Sequence, residues 1–229
     1  VRDNEHAFDP SQQTYPKLLQ AAGYETAIMG KWHLQSDPTG FDHWSILPGQ
    51  GDYYNPDLIE MGVTRRRPGY VTDVLTDGAV DFLEARKGSS RPFLLMLHHK
   101  APHRNWQPAE RHLTLYDNAR FPEPPTLFDD YATRSRAAAE QEMTIRDHMT
   151  LESDLKIGPP PERLNADQRR AWEAAFGPKR EAFRKAGLSG DALVRWKYQR
   201  FLQDYLGCVA GLDESVGRVL DALDRNGLA

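Results

Sequence analysis

Phe93-Leu94-Leu95-Met96-Leu97 is an unbroken run of five apolar residues. A run too short for a helix and apolar throughout is what a strand covered on both faces requires. Such strands belong to sheets with helices on either side. Residues 24–29 have the Tyr, Thr and Ile content of a second short buried strand, ending at Gly30. Residues 41–47 read as a third, broken by Pro48-Gly49. The stretches around these strands are helical in pattern. Thr14-Tyr15-Pro16 opens a short helix, with Pro16 in the first turn and Gly23 as the stop. Val74, Leu75, Val80, Phe82 and Leu83 form a helical stripe over 71–86. Helix, strand, helix, strand in this order predicts an α/β fold with a mostly parallel central sheet flanked by helices.

The pattern changes after residue 99. Residues 99–133 are rich in His, Pro and Asp and read as extended, irregular chain. Gly158-Pro159-Pro160-Pro161 breaks any helix before it. Residues 165–185 read as a polar, exposed helix. Tyr198, Phe201, Leu202, Tyr205, Val209, Leu212, Val216, Val219, Leu220 and Leu223 then keep helical spacing up to Asn226-Gly227, a good C-cap. The expected organisation is one domain over 1–229, with 117–190 as an irregular or helical insertion.

Composition removes several functional classes. The 229 residues carry 29 basic and 33 acidic side chains, a net charge of −4, so the basic excess of a nucleic-acid binder is missing. No stretch is long and apolar enough to cross a membrane. Arg65-Arg66-Arg67 is the one tight basic run; it reads as a solvated loop or as a guide for an anionic substrate. Cys208 is the single cysteine and lies within the apolar stripe of the last helix, where it reads as a packing residue. The chain starts at Val1 rather than at a methionine, so it reads as an internal fragment.

Two clusters can carry chemistry, each directly after a strand, where open α/β sheets bind ligands. The first is Gly30-Lys31-Trp32-His33. A fixed cation and an imidazole two residues apart can converge on one oxyanion, with Lys31 as the charge and His33 as the proton-transfer group. A surface lysine beside a packing histidine would have the same spacing. The second is His98-His99-Lys100-Ala101-Pro102-His103, and the two clusters can face one pocket. Zinc is disfavoured there, because Pro102 opposes a helix that would pair His99 with His103 and no HExxH glutamate is present. Adjacent His98 and His99 point to opposite faces of a strand, so one of them is a core or supporting histidine. Asn105 and Trp106 follow closely; the indole either receives a sugar ring or anchors the loop.

Gly23-Tyr24-Glu25-Thr26-Ala27-Ile28-Met29-Gly30-Lys31-Trp32-His33 resembles the second signature of the type I sulfatases, and Lys100-Ala101-Pro102-His103 resembles the segment that carries a later active-site histidine in that family. Residues from His98 through Phe128-Asp129-Asp130-Tyr131 and Glu142-Met143-Thr144-Ile145 look like the carbohydrate sulfatases, especially the N-acetylglucosamine-6-sulfatase-like group. The resemblance implies part of an alkaline-phosphatase-like sandwich, truncated at both ends. It implies hydrolysis of sulfate esters on sulfated glycans such as glycosaminoglycans or mucin-type chains, with the fragment alone inactive. It assigns Lys31, His33 and His103 to catalysis and suggests Lys100, Asn105 and Trp106 for substrate binding. It assigns no residue of this chain to a metal. Calcium is expected on ligands outside the chain, and a formylglycine nucleophile, made from a C/S-x-P-S-R motif absent here, is expected upstream of Val1. The resemblance also implies a periplasmic or secreted protein. Two alternatives stay open: a phosphodiesterase or phosphonate hydrolase of the same superfamily, and a non-catalytic domain that binds anionic glycans.

Overall fold

The computed structural model describes residues 2–229. It divides into two compact units. One runs through Pro102 and resumes at Gly211–Ala229; the other is His103–Ala210.

The first unit is built on a five-stranded sheet. Its strands are β1 (Glu25–Lys31), β2 (His43–Leu47), β3 (Asp57–Glu60), β4 (Val63–Arg66) and β5 (Phe93–His98), in the order β4-β3-β2-β1-β5. β1 pairs parallel with β2 and with β5, as the buried apolar runs predict. β2–β3 and β3–β4 pair antiparallel, so the whole sheet is mixed. The addition is a hairpin that the sequence reading did not include. Met61 and Gly62 turn it with φ of 47° and 86°, the two successive left-handed residues that a tight two-residue hairpin needs.

Alternation along the strands sorts the core into two layers. Ala27 packs with Phe82, Leu83 and Ala222, and with Met29, Phe93 and Leu95 at the margin. Ile28 packs on the opposite face with Phe41 and Ile46, with Leu94 and Met96 beside them. Full burial of an aliphatic side chain such as Ile28 contributes roughly 1.5–3 kcal/mol. The Ala27 face is covered by α2 (Val71–Glu84) and by the end of α5 (Gly190–Asn226). On the Ile28 face, the Tyr15 hydroxyl of α1 (Tyr15–Ala21) reaches Met96 Sδ at 3.0 Å. Arg65, Arg66 and Arg67 lie on or beside β4, and all three are ion-paired: Arg65 and Arg67 to Glu60, Arg66 to Asp57. Their charge is matched locally, which weakens the reading of the run as an electrostatic guide.

The second unit begins with irregular chain, as its Pro and Asp content predicts, and contains the single turn α3 (Arg136–Ala139). α4 (Ala166–Ala186) lies within one residue of the predicted limits, but it is not exposed throughout: Trp172 and Phe176 on one face are buried. Asn165 and Gln168 form a reciprocal capping box at its start, and Gly187 closes it with φ 55°. The 37-residue α5 supplies its first half to this unit, and Cys208 is fully buried on it. Trp106 meets Phe201 edge-on at 4.5 Å. Gly207 lies so close to Pro108 that a Cβ there would stand 2.9 Å from its ring. The start of the unit is therefore packed on its end.

Candidate active site

β1 delivers Lys31 as its last residue. The chain then bends sharply, with His33 and Gln35 in left-handed backbone at φ 52° and 55°. That conformation costs a non-glycine residue about 1–2 kcal/mol and sets the direction of the imidazole. Both side chains converge on Gln50, in the turn after β2. Gln50 Oε1 accepts from Lys31 Nζ at 2.5 Å. The Gln50 amide donates to His33 Nε2 at 3.5 Å, a long contact. Partial burial pulls the Lys31 ammonium below its ordinary value.

Lys100, two residues beyond β5, joins the same turn. It is buried, donates to the Gln50 carbonyl at 3.0 Å and sits 4.9 Å above the Tyr53 ring. The structure thus gives Lys100 the task of holding the Gln50 turn. Gln50 itself was not singled out in the sequence; the Pro48-Gly49 break marked a turn, with nothing to mark its glutamine. A cleft of about 300 Å³ opens beside His33, lined by Trp32, Ile46, Leu47 and Pro48.

The neighbouring histidines separate as strand geometry requires. His98 is exposed, and its Nδ1 lies 3.3 Å from the Lys31 carbonyl. His99 points inward to Ser215, at 2.9 Å, and Ser215 meets Thr76 at 2.5 Å. Thr76 donates to the Thr72 carbonyl, so Ser215 donates to Thr76 and His99 Nε2 donates to Ser215. Burial depresses the His99 imidazole to about 4, against a smaller upward pull from Asp73. His99 is therefore the supporting histidine, neutral and structural.

His103, Asn105 and Trp106 open the second unit. His103 is exposed, and its Nδ1 lies 2.5 Å from the Arg104 carbonyl. A carbonyl only accepts, so Nδ1 is the donor in this bond. The Trp106 amide donates back to the His103 carbonyl at 3.1 Å, and the indole packs against Phe201. That contact makes Trp106 an anchor for the loop. The structure brings Lys31, His33 and Lys100 together within the first unit, and His103, Asn105 and Trp106 within the second. Among the described residues, no group of three or more His, Cys, Asp or Glu side chains is placed to hold a metal ion.

A family model described as Sulfatase matches residues 4–229. N-acetylglucosamine-6-O-sulfatase of Bacteroides thetaiotaomicron is 47% identical over 98% of this chain and 43% of its own length. N-acetylglucosamine-6-sulfatase of Homo sapiens is 30% identical over 48% of this chain and 22% of its own length. The solved structure of BT4656 with D-glucosamine-2-N,6-O-disulfate superposes with a TM-score of 0.93 at 47% identity, covering 98% of this chain and 49% of that one. The chain spans less than half the length of these relatives.

Proposed function

The chain belongs to the sulfatase family, and on that premise we propose that the longer protein carrying it hydrolyses sulfate esters of sulfated carbohydrates, with 6-O-sulfated glucosamine as the substrate class. The observation that carries this reading is the convergence of Lys31 Nζ and His33 Nε2 on the one side-chain amide of Gln50. A single polar group already spans the cation and the imidazole, and its amide oxygen stands where a sulfate oxygen would accept from Lys31. The similarity to a sulfatase solved with a disulfated glucosamine supports the substrate class.

A sulfate ester gains negative charge on its leaving oxygen in the transition state, so preorganised cations and donors around it are the main resource. Lys31 holds a sulfate oxygen, and its partial burial strengthens that attraction. His33 presents Nε2 on the same side. His103, with Nδ1 committed to the Arg104 carbonyl, gives a proton from Nε2 to the departing sugar oxygen. Asn105 and Trp106, next along the chain, are assigned to the sugar on the resemblance alone. Formylglycine and calcium, which the resemblance implies, would supply the nucleophile and hold sulfate charge.

The test is sulfate release by the full-length protein from 6-O-sulfated glucosamine and from nitrophenyl sulfate. A sugar alkoxide leaves poorly without a proton, and nitrophenolate leaves readily. His103→Ala is expected to lose about 10²–10⁴-fold in kcat/KM on the sugar and far less on nitrophenyl sulfate. Lys31→Ala is expected to lose activity on both alike. Absence of sulfate release from any sulfated sugar would overturn the function; equal losses for His103→Ala would reassign that histidine to sulfate binding or loop support.

A further inference from the structure

We propose that Lys156 is a positioning residue for His103, acting with Asp154 to fix the backbone of Arg104 and Asn105, the two residues that follow the histidine. The inference rests on the reading of His103 as the group that serves the leaving oxygen.

Lys156 lies in a stretch of the sequence with no distinctive motif, yet its side chain is 3% exposed and its backbone is left-handed, with φ 59°. An ammonium has three N–H donors, and three acceptors surround this one. They are the Asn105 carbonyl at 2.6 Å, the Asp154 carbonyl at 2.6 Å and Asp204 Oδ2 at 3.1 Å. Burial pulls the Lys156 ammonium down, and Asp204 is the strongest opposing influence. The carboxylate thus favours the charged form where the lysine grips the Asn105 carbonyl.

Arg104 is held by the same segment. Its guanidinium donates to both carboxylate oxygens of Asp154, at 2.7 Å from Nε and 2.5 Å from Nη2, and to the His148 carbonyl at 2.7 Å. Asp154 is fully buried. Burial alone would raise its carboxyl, but donation from Arg104 and from the amide and hydroxyl of Thr150 outweighs that and holds it below the usual carboxylate range. The Arg104 carbonyl accepts from His103 Nδ1 and orients the ring. The chain of contacts is short: Asp154 holds the Arg104 side chain, Lys156 holds the Asn105 carbonyl, and the Arg104 carbonyl between them meets the imidazole. A displacement of about 1 Å at a reacting group can cost on the order of 10²-fold in rate.

The experiment is a double-mutant cycle in the full-length protein with Lys156→Met and His103→Ala, assayed on 6-O-sulfated glucosamine and nitrophenyl sulfate. In the wild-type background, Lys156→Met is expected to lower kcat on the sugar by about 10–100-fold, with a small change in KM and a much smaller effect on nitrophenyl sulfate. In the His103→Ala background it is expected to cost nothing further. Equal fractional losses in the two backgrounds would overturn the proposal. Asp154→Asn, which keeps size and shape, runs through the same cycle if Lys156→Met does not fold, and the same non-additivity is expected. A second readout does not depend on catalysis: the His103 ring resonances, followed by NMR of histidine-labelled protein, are expected to shift in both variants. Unmoved resonances would also overturn it. If His103→Ala alone shows no dependence on the leaving group, the proton-donor reading fails, and the resonances still decide whether Lys156 positions the ring.

Discussion

Gly30 and His98 face each other across β1 and β5 so closely that a Cβ on Gly30 would lie 1.9 Å from the His98 carbonyl oxygen. Gly30 also has φ 109°, a conformation that L side chains rarely adopt. The glycine that precedes Lys31 thus lets two parallel strands close just before the cation is delivered. Gly30→Ala forces the strand pair apart and strains the backbone, and is expected to destabilise the protein by about 3 kcal/mol or more. Urea melts measure this. A midpoint unchanged from the parent would mean that the strands yield freely at this point.

Gln50 neutralises nothing, yet it occupies the space between Lys31 and His33. Gln50→Glu keeps the shape and puts a carboxylate where a sulfate oxygen is expected. The new charge pairs with Lys31 and repels the substrate. KM for a sulfated sugar is expected to rise about tenfold, equivalent to about 1.4 kcal/mol, with a smaller change in kcat and an unchanged melting temperature. A KM equal to that of the parent would place the sulfate elsewhere.

His99 makes stability depend on pH. Its folded-state value of about 4 lies below the ordinary 6.5 because burial disfavours the charged ring. Between those values the unfolded chain binds a proton that the folded chain refuses, so stability falls as the medium is acidified. The contribution is fully present above about pH 6.5 and is lost progressively toward pH 4. From pH 7 to pH 5 it amounts to about 2 kcal/mol. His99→Gln is expected to flatten the dependence by that amount in urea melts at pH 7, 6 and 5. An identical slope in the variant would show that other groups carry it.

The parallel core was legible because β5 holds an uninterrupted apolar run and β1 a short run of strand-favouring residues that ends at a glycine. Lys31 and His33 were legible because they follow such a run directly. The β3–β4 hairpin was not. Its strands are short and charged, and Met61 takes a left-handed position that Asn or Asp would have advertised. Gln50 and Lys156 escaped for a different reason. A turn glutamine and a lysine in irregular chain acquire their roles only from partners 19 and 51 residues away, Lys31 and Asn105, and no local pattern encodes such a meeting.

The packing of Pro108 on Gly207 and of Trp106 on Phe201 bears on how the chain folds. The core around Ala27 is completed by Ala222, which lies beyond the whole His103–Ala210 stretch. Closing a flexible excursion of about a hundred residues carries a length-dependent entropy cost of roughly 4 kcal/mol. The second unit meets that cost through its own contacts, which bring its beginning beside its end. Once it has formed, the two parts of the sheet unit are joined by a short tether, and the last turns of α5 reach β1 as near neighbours in effective sequence distance. Cavity-forming substitutions at Trp106 or Phe201 are therefore expected to slow refolding of the sheet unit as well, measured as a lower rate of recovery from urea.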